Sequence, residues 1–82
     1  MDKAEIESRV RKILAEQLAV DEAQVVPDAR CAEDLNADSL DLVEAVLALE
    51  EEWDIEIPED EMEGVKTVGQ AVSLVEQKLR LS

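Results

Sequence analysis

The sequence has no histidine, phenylalanine or tyrosine, and only one cysteine, one tryptophan, two glycines and two prolines. Without histidine there is no usual general base, no Ser-His or Cys-His nucleophile pair and no HExxH zinc site. Cys31 alone can form neither an internal disulfide nor a cysteine–histidine metal cage. The glycines, Gly64 and Gly69, are too few for a glycine-rich phosphate loop. These absences point away from an independent enzyme. With Trp53 as the sole aromatic, the core must come from Leu, Val, Ile and Ala, which suits helices packing on aliphatic stripes. No apolar run reaches the roughly 18–20 residues of a membrane span, and the charged N-terminus MDKAEIESRVRK has no apolar signal-peptide core. A soluble protein of a reducing compartment is expected, cytoplasmic by default, although an organelle protein stripped of its transit peptide would read the same way.

Bases are also missing from one whole stretch. Residues 31–65 hold fourteen Asp or Glu and no Lys or Arg, while elsewhere eight acids balance eight bases, so the net charge of −14 lies entirely in that stretch. Such a surface repels nucleic acid and anionic membranes and attracts basic proteins or divalent cations.

The 82 residues suffice for one modest core. Ile6, Val10, Ile13, Leu14 and Leu18 recur at helical spacing and predict a first helix over residues 3–19. A long connection comes next, with a short turn capped by Asp21 and a break at Pro27. The second helix is expected from Ser39 to Glu52 or Trp53, with Asp38 as N-cap and Asp41 in the first turn. Its buried stripe is read as Leu42, Val46, Leu49 and Trp53, widened by Val43 and Leu47. WDIEIP alternates like a strand but has no partner, so it reads as an extended connector that docks Ile55 and Ile57 on the core. Pro58 at a first-turn position followed by EDEME suggests a short third helix ended by Gly64. Thr67 and Gln70 form a capping box for a last helix with Val68, Ala71, Val72, Val75 and Leu79 on its buried side. The expected fold is all-α: a small bundle of three main helices plus one short helix, with a long loop between the first and second helices.

Within this frame the run LNADSLDLVE places a serine, Ser39, between Asp38 and Asp41 at a helix start. A calcium loop beginning at Asp34 fails, because its sixth, eighth and twelfth positions are Ser39, Asp41 and Ala45 rather than Gly, an apolar residue and Glu. Two readings of Ser39 stay open on local chemistry. It can cap the helix, or it can carry a covalently attached group whose phosphate would lie at the helix N-terminus, favoured by the dipole and opposed by the flanking acids.

The run EDLNADSLDLVEAVLALEEEWDIEIPEDE closely resembles the acyl carrier proteins. The resemblance rests on Asp38-Ser39-Leu40, with Glu33-Asp34-Leu35 before it and Val43-Glu44, Ala48 to Glu52, Ile57-Pro58 and Thr67-Val68 after it. VRKILAEQLAV is similar to the family's first helix, so the likeness spans essentially the whole chain, residues 1–82, as a single acyl carrier domain. It implies that Ser39, flanked by Asp38 and Leu40, receives a 4′-phosphopantetheine arm from coenzyme A through a phosphopantetheinyl transferase, and that the arm holds acyl groups as thioesters. It further implies that Asp38, Asp41, Glu44, Glu50 and Glu51, with Leu40, Val43 and Leu47 between them, meet basic patches on acyl-transferring and chain-elongating enzymes. Fatty acid synthesis is the implied setting and a monomer the implied state, with no metal, nucleic acid or inserted membrane segment. A specialised carrier of polyketide or other secondary metabolism is the alternative, and an unmodified acidic adaptor the rival from another class. Three positions depart from the family's usual residues: Asn36 and Ala19 stand where glycine is common, and Cys31 where a large apolar residue is usual. Asn36 can still take a left-handed turn; Ala19 would be strained there. Cys31 reads as a small buried hydrophobe, with an enlarged acyl pocket or oxidative dimers as alternatives.

Overall fold

The computed structural model describes residues 2–81. Four helices succeed one another: α1 (Lys3–Leu18), α2 (Ser39–Trp53), α3 (Glu59–Glu63) and α4 (Val68–Leu81). The chain thus has the expected all-α fold, and no strand occurs among the described residues.

Asp2 opens α1 by accepting from the Glu5 N–H at 2.9 Å. The helix closes at Ala19, which turns left-handed (φ 55°) and returns its N–H to Ala15. The helix therefore stops one residue short of the expected boundary, at the position where the family usually has glycine. Asp21 begins a 3-10 turn over Glu22–Gln24, and its own N–H is held by Gln24 Oε1 at 3.1 Å. Arg11 of α1 reaches across to the Val25 carbonyl at 2.7 Å, which fixes the start of the loop against the bundle.

The rest of the loop is fastened to the α3–α4 connection by main-chain bonds. Arg30 and Thr67 form an antiparallel bridge, with Cys31 N–H donating to Lys66 and Val68 N–H to Ala29, both at 3.0 Å. A tight turn then leads to α2. Asp34 accepts from the Arg30 N–H, Asn36 takes the left-handed conformation (φ 56°), and Ala37 N–H closes back on Cys31 at 2.9 Å.

The core is aliphatic throughout. Ile6, Val10 and Leu14 of α1 meet Val46 and Leu49 of α2 and Val68, Val72 and Val75 of α4. Cys31 and Leu35 are buried as well, at 2% and 3% exposure. Trp53, Ile55, Met62 and Leu79 pack around this centre half-covered. An ion pair of Arg9 with Glu52, at 2.6 Å, joins the exposed edges of α1 and α2.

Two expectations need correction. The buried side of α2 is Ala45, Val46 and Leu49. Val43 and Leu47 do not widen it but point outward, at 36% and 51% exposure. With apolar residues on most sides of α2, periodicity alone cannot choose the face; it is the side of Ala45, Val46 and Leu49 that joins the core. Pro58, expected in the first turn of α3, is instead its N-cap, with its carbonyl accepting from Glu61 and Met62.

Candidate functional site

Asp38 and Asp41 form a reciprocal cap at the start of α2. The Asp41 N–H donates to Asp38 Oδ1 at 2.8 Å, and the Asp38 N–H to Asp41 Oδ2 at 3.3 Å. The Leu42 N–H goes to the Asp38 carbonyl. Ser39, the first residue of α2, is exposed, and its hydroxyl takes no part in this cap. Of the two readings that local chemistry leaves open, capping falls to the aspartates and the serine oxygen stays available.

Ser39 borders an open groove of about 800 Å³. Leu42 and Val43 of α2 form one wall, Glu59, Met62 and Glu63 of α3 the other, and the bridged segments around Arg30, Cys31 and Lys66 the floor and end. The groove is apolar near Leu42, Met62 and Val65 and charged at its rim. Arg30 is committed to Glu33 at 2.8 Å, a hydrogen bond and charge pair that raise the guanidinium's pKa. Burial pushes the Cys31 thiol above its ordinary value, so it stays neutral in the floor. A separate hollow of about 750 Å³ lies between α1, the loop, α3 and α4; Ser39 does not reach it.

The remaining residues singled out in the sequence fall into two groups. Leu40, Val43 and Leu47 lie exposed along α2 at spacings of three and four, with the exposed Glu44 and Glu51 and the half-buried Asp41 among them. The helix therefore presents a mixed apolar and acidic face directly beside Ser39. Glu50 differs, being half-buried with its carboxylate Oε2 accepting the Ile57 N–H at 3.1 Å.

The groove also uses residues that the sequence alone does not mark as functional: Arg30, Leu42, Met62 and Lys66. A signal for two of them was available, because Arg30 and Lys66 are the bases that bracket the acid-only stretch. Met62 carried none. Glu61 is another acid with an unforeseen role: its Oε2 is closed off from solvent, and Lys78 Nζ stands 2.6 Å away to balance it, tying α3 to α4. Among the described residues, no group of three or more acidic or sulfur side chains converges as a metal cage, and no helix is long and apolar enough to cross a membrane.

The phosphopantetheine attachment site family matches residues 8–75. The acyl carrier protein of Thermosynechococcus vestitus is 51% identical over 79 residues, covering 96% of this chain and 98% of its own. Among solved structures, the acyl carrier protein from Enterococcus faecalis, described for the structural components behind its high thermal stability, aligns with a TM-score of 0.78 at 35% identity, over 95% of this chain and 99% of that one. The chain belongs to the phosphopantetheine attachment site family and, within it, to the acyl carrier proteins. Its part is to carry rather than to catalyse, and its covalent cofactor is 4′-phosphopantetheine. The geometry around Ser39 fits that group: an exposed hydroxyl at a helix N-terminus, free of capping duty, opens on a groove with an apolar lining.

Proposed function

We propose that Ser39 is the attachment point and that the protein shuttles acyl intermediates of fatty acid synthesis in the cytoplasm, acting as a monomer. The observation that carries this reading is the division of labour at the start of α2, where Asp38 and Asp41 satisfy the helix end and leave the serine oxygen exposed. Ser39 loses its hydroxyl proton as its Oγ bonds to phosphorus and the nucleotide half of coenzyme A departs. The N-terminus of α2 would favour the single negative charge of the resulting phosphodiester. When bound, the arm supplies a terminal thiol that holds an acyl group as a thioester. The groove along Leu42, Met62 and Val65 offers that group an apolar wall.

Docking falls to the outer face of α2. Leu40, Val43 and Leu47 provide apolar contacts, and Asp38, Asp41, Glu44 and Glu51 the charges for basic patches on the transferase and on acyl-transferring and elongating enzymes. Exposed pairs of this kind contribute about 0–1 kcal/mol each and are screened by salt, which suits short visits to many partners. A specialised carrier is the second reading, favoured by Cys31 in the groove floor.

The test is intact mass after treatment of the apo protein with a phosphopantetheinyl transferase and coenzyme A. One phosphopantetheine should be gained by the parent and none by Ser39→Ala. A modified Ser39→Ala protein would overturn the assignment. An unmodified adaptor would show no gain in either.

A further inference from the structure

We propose that Glu50 is a positioning residue that sets the α3 wall of the Ser39 groove. The proposal rests on the reading of Ser39 as the attachment point.

Glu50 sits in the run Glu50-Glu51-Glu52, where composition gives every acid the same meaning. The structure separates them. Glu51 is exposed, and Glu52 is paired with Arg9. Glu50 instead holds the connector that leaves α2. Its carbonyl accepts the N–H groups of Asp54 and Ile55, and its carboxylate accepts that of Ile57. Asp54 reverses the chain in the left-handed conformation (φ 53°), and Ile57 is buried at 7% exposure. One glutamate therefore grips the connector at Asp54, Ile55 and Ile57.

The placement of α3 depends on that grip. Pro58, next to Ile57, has its φ fixed by its ring and serves as the N-cap of α3 without any side-chain cap bond. Its carbonyl accepts from both Glu61 and Met62 at 3.0 Å. A five-residue helix has little stability of its own, so α3 is positioned by the contacts that hold it from outside. One end inherits the Ile57–Pro58 geometry set by Glu50. The middle residue of α3 is held by the Lys78–Glu61 pair. Held at these two points, α3 lines the groove beside Ser39 with Glu59, Met62 and Glu63. The last turn of α2 thus controls, through α3, the space beside its first turn.

The experiment compares Glu50→Ala, which removes charge and acceptor, with Glu50→Gln, which keeps an acceptor oxygen. Glu56→Gln serves as a control that removes an exposed charge from the same connector. Amide hydrogen exchange of Ile57 is measured in the apo protein. Hydroxylamine cleavage of an octanoyl thioester is then measured on protein whose arm has been verified by intact mass. In Glu50→Ala, Ile57 exchange should rise about tenfold, as expected for losing a bond to a charged acceptor, and the thioester should be cleaved faster. Glu50→Gln should restore both toward the parent, and Glu56→Gln should change neither once intrinsic exchange rates are corrected. Unchanged Ile57 exchange in Glu50→Ala overturns the proposal. So does faster exchange without faster cleavage, because α3 would then not shape the groove, or a Glu50→Gln protein that behaves like Glu50→Ala. Absence of the arm in the parent would overturn the Ser39 reading instead, while the exchange data would still judge the grip of Glu50 on the connector.

Discussion

The main-chain N–H of Gly69 donates to the carbonyl of Pro27 at 2.9 Å, and a Cβ on Gly69 would stand 3.1 Å from that same oxygen. The start of α4 and the long loop meet here backbone to backbone. Their meeting lies next to the Arg30–Thr67 bridge that builds the floor of the groove.

Gly69→Ala sets two effects against each other. Alanine is favoured in a helix by roughly 0.5–1 kcal/mol, but less so in the first turn, and overpacking against a backbone atom costs about 1–3 kcal/mol. The steric cost should win, with a net loss of about 1 kcal/mol and a melting temperature lower by about 4–8 °C for a chain of this size. Thermal unfolding followed by circular dichroism checks this; an unchanged or higher melting point would mean the loop yields freely.

Ala19→Gly should act in the opposite direction. Ala19 holds a left-handed conformation at the end of α1 (φ 55°), which costs an L-residue on the order of 1 kcal/mol and glycine almost nothing. Glycine's extra freedom in the unfolded chain offsets part of that gain. A net stabilisation of about 0.5 kcal/mol is expected in urea titrations. Destabilisation would show that Ala19 makes compensating contacts.

Asp38→Ala and Ser39→Ala should separate stability from modification. Loss of the Asp38 cap should cost about 1 kcal/mol. Ser39→Ala should leave the cap intact and stability within about 0.5 kcal/mol of the parent, as for surface changes generally. Denaturant midpoints of the two apo variants give the comparison. A larger loss in Ser39→Ala than in Asp38→Ala would assign the capping role to the serine after all.

Cys31 should make stability fall in alkali. Its folded pKa is raised above the ordinary 9.0 by burial, so the folded state keeps the thiol proton after the unfolded state has begun to lose it. The contribution is fully present below pH 9.0 and lost as pH rises through the higher folded value. The melting temperature of the parent should therefore drop more steeply above that pH than that of Cys31→Ala. The same burial predicts slow alkylation of Cys31 in the native protein at neutral pH, because the thiolate is the nucleophile. Parallel slopes and rapid native alkylation would place the thiol near solvent.

Much of this fold could be read from residue types that have one strong local use. Asp38 before a helical run, the Thr67–Gln70 box and Gly64 after EDEME marked helix ends, and the bonds at Asp38 and Thr67 are present. Asn36 took the left-handed turn expected of an asparagine in a glycine's place. What escaped was decided by packing or by the main chain. Val43 and Leu47 are apolar on a helix apolar on most sides, so their outward direction depends on which side joins the core. The Arg30–Thr67 bridge consists of peptide groups, which every residue carries. Glu50 is one acid in a row of three, and only the position of the Ile57 N–H distinguishes it. For the site, the serine and its flanking face were visible in the motif, whereas the groove needs the third dimension.

That bridge also closes a ring. The base-free stretch 31–65 begins after Arg30 and ends before Lys66, where Cys31 N–H and the Lys66 carbonyl are joined. The serine, the exposed face of α2 and α3 all lie between these two ends, while the balanced charges lie outside them. The carrier's acidic part is thus one continuous stretch of chain, stitched at this seam and held to α1 and α4 by the Arg9–Glu52 and Lys78–Glu61 pairs. Closing so long a loop costs entropy only logarithmically in its length. Insertions in the exposed connections inside the ring are therefore cheap for the scaffold, whereas a break at the seam would open both floor and wall of the groove together.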